Sequence, residues 1–256
     1  MARLRAPNLW MSNRLRLDEL LVARGLYLSR SRARDAVLRG TVKVSGEIAA
    51  KPACLVDHDI AVSVSDEARP YVSRAALKLI HGLDTFSIAI EGRHCLDIGA
   101  STGGFTQVLL ERGAAHVTAI DVGHGQLEPE IANDSRVTSI EGLNARDLRP
   151  EHLRGAIDLI VCDVSFISLK LAVPPALALA GEGAELVALI KPQFEVGRAA
   201  VGKGGIVGDP VEHKRVCREI EEYLLGEGWE VLGVTRSPVE GGDGNREFLI
   251  AARKPS

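Results

Sequence analysis

The sequence predicts a small α+β module followed by an α/β domain built on a mostly parallel sheet. Three observations carry this. Between residues 94 and 192, the apolar runs "HCLDIG", "HVTAID", "IDLIVCDVS" and "ELVALIKP" alternate with helix-like segments. Continuous apolar strands between helices belong to a parallel sheet covered on both faces. The last two strand-like runs, "WEVLGVTRS" and "REFLIAAR", are separated only by "PVEGGDGN", a link that permits an antiparallel hairpin and no crossover. Finally, the charge changes near residue 70. Residues 1–70 carry 12 Lys/Arg against 8 Asp/Glu, a net of +4, and the remainder carries a net of −7. A basic front on an acidic body points to an anionic partner.

At 256 residues, 46% hydrophobic and 25% charged, the chain can bury a real core and is not disordered in bulk. Aromatic residues are only 4%, so aliphatic packing dominates. Cys54, Cys95, Cys162 and Cys217 form no C-x-x-C pair, and two of them sit in strand-like runs, which predicts reduced thiols and a cytoplasmic protein. The seven histidines show no metal-ligand spacing, so no metal is expected. "MARLRAPNLW" is basic but lacks an apolar stretch, and "LAVPPALALAG" is too short to span a bilayer. Residues 1–12 read as a disordered extension or an upstream start.

In the first part, Leu15, Leu20 and Leu21 mark one helical stripe. Ser29 is placed to cap a second helix bearing Ala33, Ala36, Val37 and Leu38, which Gly40 ends. Val42 and Val44 alternate toward a Ser45-Gly46 turn, and "DIAVSVS" gives another strand. Arg30, Arg32, Arg34 and Arg39 crowd the second helix, with Arg14 before the first and Lys43 just after the second. Arginine grips phosphate with a two-pronged fork, so such a set suits an RNA backbone. The stretch "RLDELLVARGLYLSRSRARDAVLRGTVKVSG" resembles the S4 RNA-binding domain, which implies RNA binding by shape and phosphate contacts. This part is expected over 13–64, with "SDEARPY" opening a polar linker over 65–72 and the larger domain over 73–256.

In the second part, strands are expected at 94–99, 116–121, 136–141, 157–165 and 185–192. Helices are expected at 103–112, at 168–180 with a break at Pro174-Pro175, and at 211–226. The closing hairpin brings the count to a seven-stranded, Rossmann-like sheet, which resembles that of S-adenosylmethionine (SAM) methyltransferases. A dinucleotide fold is usually all parallel.

The loop Gly99-Ala100-Ser101-Thr102-Gly103-Gly104, followed by Phe105, joins a strand to a helix. Small residues let a ligand approach the backbone, and a helix N-terminus offers free N–H groups. Asp97 precedes the loop where a dinucleotide site has an apolar residue; its carboxylate suits the ammonium of a methionine moiety. Asp121 ends the next strand, where an acid accepts from ribose hydroxyls. Asp147 is placed to face the adenine or to stand as a solvated loop residue.

Asp163 and Lys191 lie at the C-terminal ends of two parallel strands, where ligands of such sheets bind. Glu247 starts the antiparallel last strand and so lies on the same edge. Lys78, in "SRAALKLIHGL", is the fourth candidate. The pattern "SRAALKL … DIGASTGGFT … CDVSFISL … IKPQFEVG … GKGGIV … GNREFLI" resembles the TlyA family, called haemolysins by name but ribose 2′-O-methyltransferases of rRNA, from about Arg14 to Ala252. The resemblance implies the Lys–Asp–Lys–Glu tetrad of FtsJ-like ribose methyltransferases on Lys78, Asp163, Lys191 and Glu247. It further implies SAM as cofactor and a cytidine of 23S, and also of 16S, rRNA as target. The sequence ends soon after the last expected strand where longer members carry a C-terminal tail, and Tyr71 stands where the family's linker usually has Trp.

A ribose 2′-hydroxyl must lose its proton near the moment of attack, and a lysine serves as base only when its pKa falls. Lys191 is expected as the base, with Lys78 beside it and the two carboxylates orienting both lysines. "DVSF" replaces the Asn/Asp-Pro-Pro-aromatic motif of amino-group methylation, which favours an oxygen acceptor. Residues 193–209, with Arg198, Lys203 and five glycines, predict a mobile loop that contacts RNA phosphate. The competing readings are a pseudouridine synthase, a membrane-active haemolysin and a non-catalytic ribosome assembly factor. The intact loop and tetrad weigh against the first and last.

Overall fold

A computed structural model describes residues 14–197, 201–241 and 244–256. The chain divides into two compact units, with the break between Arg69 and Pro70.

The first unit comprises β1 (Arg14–Arg16), α1 (Leu17–Ala23), α2 (Arg30–Leu38), β2 (Val42–Val44), β3 (Glu47–Ile48), β4 (Leu55–Asp57) and β5 (Val62–Val64). Leu17, Leu20 and Leu21 of α1 pack on Ala33, Ala36 and Val37 of α2. The Ser29 hydroxyl accepts from the Arg32 amide at 3.3 Å, and Gly40 at φ 73° turns the chain out of α2. Ser45 and Gly46, both at positive φ, form the β2–β3 turn.

Three features differ from expectation. Leu15 belongs to strand β1, not to the helical stripe, because β1 pairs antiparallel with β4 some forty residues on; a non-local partner leaves no local periodicity. Leu38 is 61% exposed, since a step of about 100° per residue rotates it off the face that Val37 fills. The start of the polar linker is packed into this unit. The Asp66 carboxylate is buried, accepting from Tyr27 Oη at 2.8 Å and from both terminal nitrogens of Arg39 at 2.8 and 2.9 Å. Burial pushes the Asp66 carboxyl up, but the Arg39 guanidinium and Tyr27 hydroxyl outweigh it and hold it below its ordinary value.

The second unit comprises α3 (Ala75–Thr85), β6 (His94–Ile98), α4 (Gly104–Glu111), β7 (His116–Asp121), α5 (Pro129–Ala132), β8 (Val137–Glu141), β9 (Ile157–Cys162), α6 (Leu169–Ala172) and α7 (Pro174–Leu179). It continues with β10 (Ala180–Ile190), α8 (Pro192–Glu195), α9 (Pro210–Gly226), β11 (Glu230–Arg236) and β12 (Phe248–Arg253). The sheet order is β11-β12-β10-β9-β6-β7-β8. Strands β6 to β10 run parallel, and β12 is antiparallel to both neighbours. One apolar core lies under α3 and α4, the other under α6, α7 and α9. The expected seven-stranded architecture is present. Strand β10 begins five residues early, at Ala180, with a register shift before Glu185; its glycines and Glu182 hide this start in the sequence. The order reverses at β6, whose neighbours are β7 and β9, so the loops after Ile98, Cys162 and Ile190 open on one edge.

Candidate active site

The loop after β6 is held by backbone shape. Gly99 has φ 82°, and a Cβ there would lie 2.7 Å from the Asp163 carbonyl oxygen. Gly103 has φ 97°, and a Cβ there would lie 2.7 Å from Leu127 and Ile131. Neither position accepts a side chain without strain. Asp121 fixes the loop from the next strand: Oδ2 accepts from the Ser101 amide at 2.8 Å and Oδ1 from the Gly123 amide at 2.7 Å. Asp97 is fully buried. Its Oδ2 accepts from Thr106 Oγ1 at 2.6 Å, and its Oδ1 has no hydrogen-bond partner among the described residues. Burial pushes this carboxyl up to about 7.

A cleft of about 210 Å³ lies between this loop with Phe105 on one side and Asp163, Ser165 and Lys191 on the other. The four candidate catalytic residues form two ion pairs. Lys191 Nζ lies 2.5 Å from Asp163 Oδ1 and donates to Ser165 Oγ at 2.9 Å; this pair is on the cleft wall. Lys78 Nζ donates to Glu247 Oε2 at 2.5 Å. The second pair joins α3 to the residue before β12, and at 6% and 3% exposure it lies outside the cleft lining. Lys78 therefore does not offer an uncompensated charge to Lys191; it carries its own carboxylate. Asp121 and Asp147 are likewise outside the cleft lining, Asp147 being exposed on the short turn Ala145–Asp147.

The sequence reading missed several positioning residues. Ser165 holds the Lys191 ammonium. Glu195 accepts from Ser168 Oγ and the Leu169 amide, both at 2.6 Å, and so ties the segment after β10 to the start of α6. Asn245, buried two residues before Glu247, accepts from the Val207 amide at 2.9 Å and donates to the Gly205 carbonyl at 3.0 Å. His213 lies 2.7 Å from the Val207 carbonyl. The glycine-rich loop expected to be mobile over 193–209 is thus clamped at 205–207. Its only sequence trace is the asparagine of "GNREF". Lys203 is exposed on a short turn; Arg198 lies outside the described residues.

In the first unit, the expected RNA contacts separate by environment. Arg34 and Lys43 are exposed and have no ion-pair partner among the described residues. Arg14 lies 3.8 Å from Asp57, Arg30 3.1 Å from Glu19, and Arg32 donates to the Arg69 carbonyl. Arg39 is tied up by Asp35 and Asp66, so its place in a phosphate-binding surface is replaced by an internal ion-pair role.

The pattern of the FtsJ-like methyltransferases matches residues 71–254 of this chain. The chain belongs to that family. The S4 domain pattern matches residues 15–59. The chain is 47% identical over 244 residues to the 16S/23S rRNA (cytidine-2′-O)-methyltransferase TlyA of Mycobacterium tuberculosis, covering 95% of this chain and 91% of that one. It is 41% identical to hemolysin A of Brachyspira hyodysenteriae, covering 92% and 98%. A solved structure from Streptococcus thermophilus described as a hemolysin superposes with a TM-score of 0.76 at 38% identity, covering 95% and 90%. As a member of the FtsJ-like family, the chain is a SAM-dependent methyltransferase. Its residues fit that cofactor in part: glycines shape the loop at the start of α4, and Asp97, buried near the end of β6 and outside the cleft lining, keeps an Oδ1 with no hydrogen-bond partner among the described residues. Among the described residues no helix is long and apolar enough to cross a membrane, so the hemolysin names find no spanning helix here.

Proposed function

We propose that this enzyme methylates a ribose 2′-hydroxyl of ribosomal RNA, a cytidine of 23S and also of 16S rRNA, acting in the cytoplasm as a monomer. The observation that carries the reading is the Lys191–Asp163 pair on the cleft wall facing the cofactor loop, backed by the buried Lys78–Glu247 pair. The relatives' rRNA names and the S4 unit support the substrate class.

When bound, SAM supplies an electrophilic methyl group on a sulfonium. Gly99, Ala100, Ser101, Thr102, Gly103, Gly104 and Phe105 shape its seat, Asp97 receives the amino end, and Asp121 and Asp147 serve the ribose and adenine ends. Lys191 orients the attacking 2′-oxygen, and the Lys191–Asp163 pair takes the hydroxyl proton; the bound cofactor would supply the methyl group. Holding the oxygen in line with the methyl carbon contributes up to about 7–11 kcal/mol in ideal cases. Ser165 fixes the Lys191 Nζ. Lys78 and Glu247, the other half of the tetrad, hold α3 against the start of β12 behind the cleft and position the Lys191–Asp163 pair for transfer. In the first unit, Arg14, Arg30, Arg32, Arg34 and Lys43 engage RNA phosphates, as do Arg198 and Lys203 in the second.

The test is transfer of labelled methyl from SAM to purified large and small ribosomal subunits lacking the modification, followed by nuclease digestion. Label in a 2′-O-methylcytidine supports the reading. Label on a base, or none on either subunit while SAM binds, overturns it. The haemolysin reading predicts liposome leakage at low protein concentration, which this account expects to be absent.

A further inference from the structure

The catalytic unit carries a groove larger than the cofactor cleft. It has a volume of about 530 Å³ and runs between α9 and the β11–β12 edge of the sheet, within the usual range for ligand sites. Its floor is apolar: Val234, Phe248 and Cys217, whose thiol burial pushes up to about 12 and keeps neutral. Its rim carries Lys214 and Arg218, one turn apart on α9, with Arg236 and Arg246 on the hairpin side. Lys214, Arg218 and Arg246 are exposed and have no ion-pair partner among the described residues. Among the described residues, Arg236 has a 3.5 Å contact with Glu240, and Glu221 is the one acid in the lining. On a catalytic part whose residues are net acidic, four cations around an apolar floor form a local reversal of charge.

The groove's position gives it meaning. Phe248 packs into the core under α9, whereas the next residue, Leu249, packs into the core under α3. Arg246 lines the groove with Phe248, while Glu247 reaches Lys78 on α3. Two consecutive residues thus serve opposite faces of the sheet at the edge where the cleft opens. The clamp on 205–207 also rises from here, since His213 lines the groove and contacts Val207.

We infer that this groove is a second RNA site on the catalytic unit, seating an unpaired nucleotide of the substrate strand. Its base lies on Phe248 and Val234, and its flanking phosphates meet Lys214, Arg218, Arg236 and Arg246. An apolar floor with a cationic rim matches the two chemistries of single-stranded RNA, a stacking face and a charged backbone. A strand held there crosses the sheet edge at Arg246–Glu247 and reaches the cleft on the other face. The inference rests on the reading of RNA as substrate.

The first test cross-links the full chain to a short single-stranded RNA carrying one 4-thiouridine, and maps the adducts. Adducts on 214–221 or 246–248 are expected. Adducts confined to residues 14–69 overturn the proposal, as do contacts from this groove to a ribosomal protein and not to RNA in cross-linked subunit complexes. The second test is the Lys214→Glu/Arg218→Glu double variant, whose substitutions sit on an exposed helix face. It should raise the KM for ribosomal subunits by about tenfold or more and flatten its salt dependence, with SAM affinity unchanged. An unchanged KM and salt slope overturn the proposal. Failure of the unaltered chain to methylate subunits sinks the functional reading instead, and the adduct map still decides the groove.

Discussion

Lys78 and Glu247 are 169 residues apart in sequence and 2.5 Å apart in space. One is on the helix before the first strand of the catalytic sheet, the other precedes its last strand, and both are almost wholly buried. The pair closes the two ends of the catalytic unit at the edge where the cofactor loop and the Lys191–Asp163 pair face each other. An ion pair so buried is a weak source of net stability, but either member alone is costly.

Glu247→Ala should therefore destabilise the catalytic unit by about 3–5 kcal/mol, because the buried Lys78 ammonium loses its partner. The double variant Lys78→Met/Glu247→Leu should recover most of that stability without recovering methyl transfer. Denaturant unfolding with a parallel activity assay checks both. Full activity in the stable double variant would show that the pair is scaffolding alone.

With Asp97 receiving the amino end as proposed, cofactor binding should depend on pH. Burial raises its carboxyl to about 7 in the ligand-free protein, so below that value it is neutral and a poor partner for an ammonium. SAM affinity should rise as the pH is raised through about 7, and Asp97→Asn should remove that slope; calorimetric titration measures it. Without ligand the linkage has the opposite sign. The folded state keeps a proton that the unfolded chain releases near 3.8, so this group's contribution to stability falls between that pH and about 7.

Asn245→Ala leaves the Val207 amide and the Gly205 carbonyl without their side-chain partner. The expected cost is about 1–3 kcal/mol of local stability, read as faster hydrogen exchange at residues 205–207. Exchange there as slow as in the unaltered chain would mean that His213 alone holds the clamp.

The two classes of arginine in the first unit should separate. Arg39→Ala uncovers the buried Asp66 carboxylate and should cost about 2 kcal/mol or more, discounted because Arg39 is partly exposed. Arg34→Ala should change stability by no more than about 0.5 kcal/mol and lower the salt slope of RNA binding by about one. Thermal melts and salt titrations of both variants check this.

Much of this molecule was legible in the sequence because its signals are local. Apolar runs of strand length mark β6, β7, β9 and most of β10, and "PVEGGDGN" forces the antiparallel end of the sheet. Gly99 and Gly103 announce a loop that only glycine can make. What stayed hidden depends on partners distant in the chain. The pairing of β1 with β4, the burial of Asp66 in a stretch that reads as linker, and the Asn245 clamp are invisible to periodicity. The four catalytic candidates could be placed on one edge by topology, but their division into two ion pairs required side-chain distances.

The most direct measurement of the central claim is single-turnover methyl transfer to unmodified ribosomal subunits by Lys191→Ala, with SAM binding measured on the same preparation. The account predicts that SAM still binds while transfer to the ribose 2′-oxygen falls by about a hundredfold or more. Transfer at the unaltered rate with SAM bound would contradict it, and would move the proton acceptor away from the Lys191–Asp163 pair.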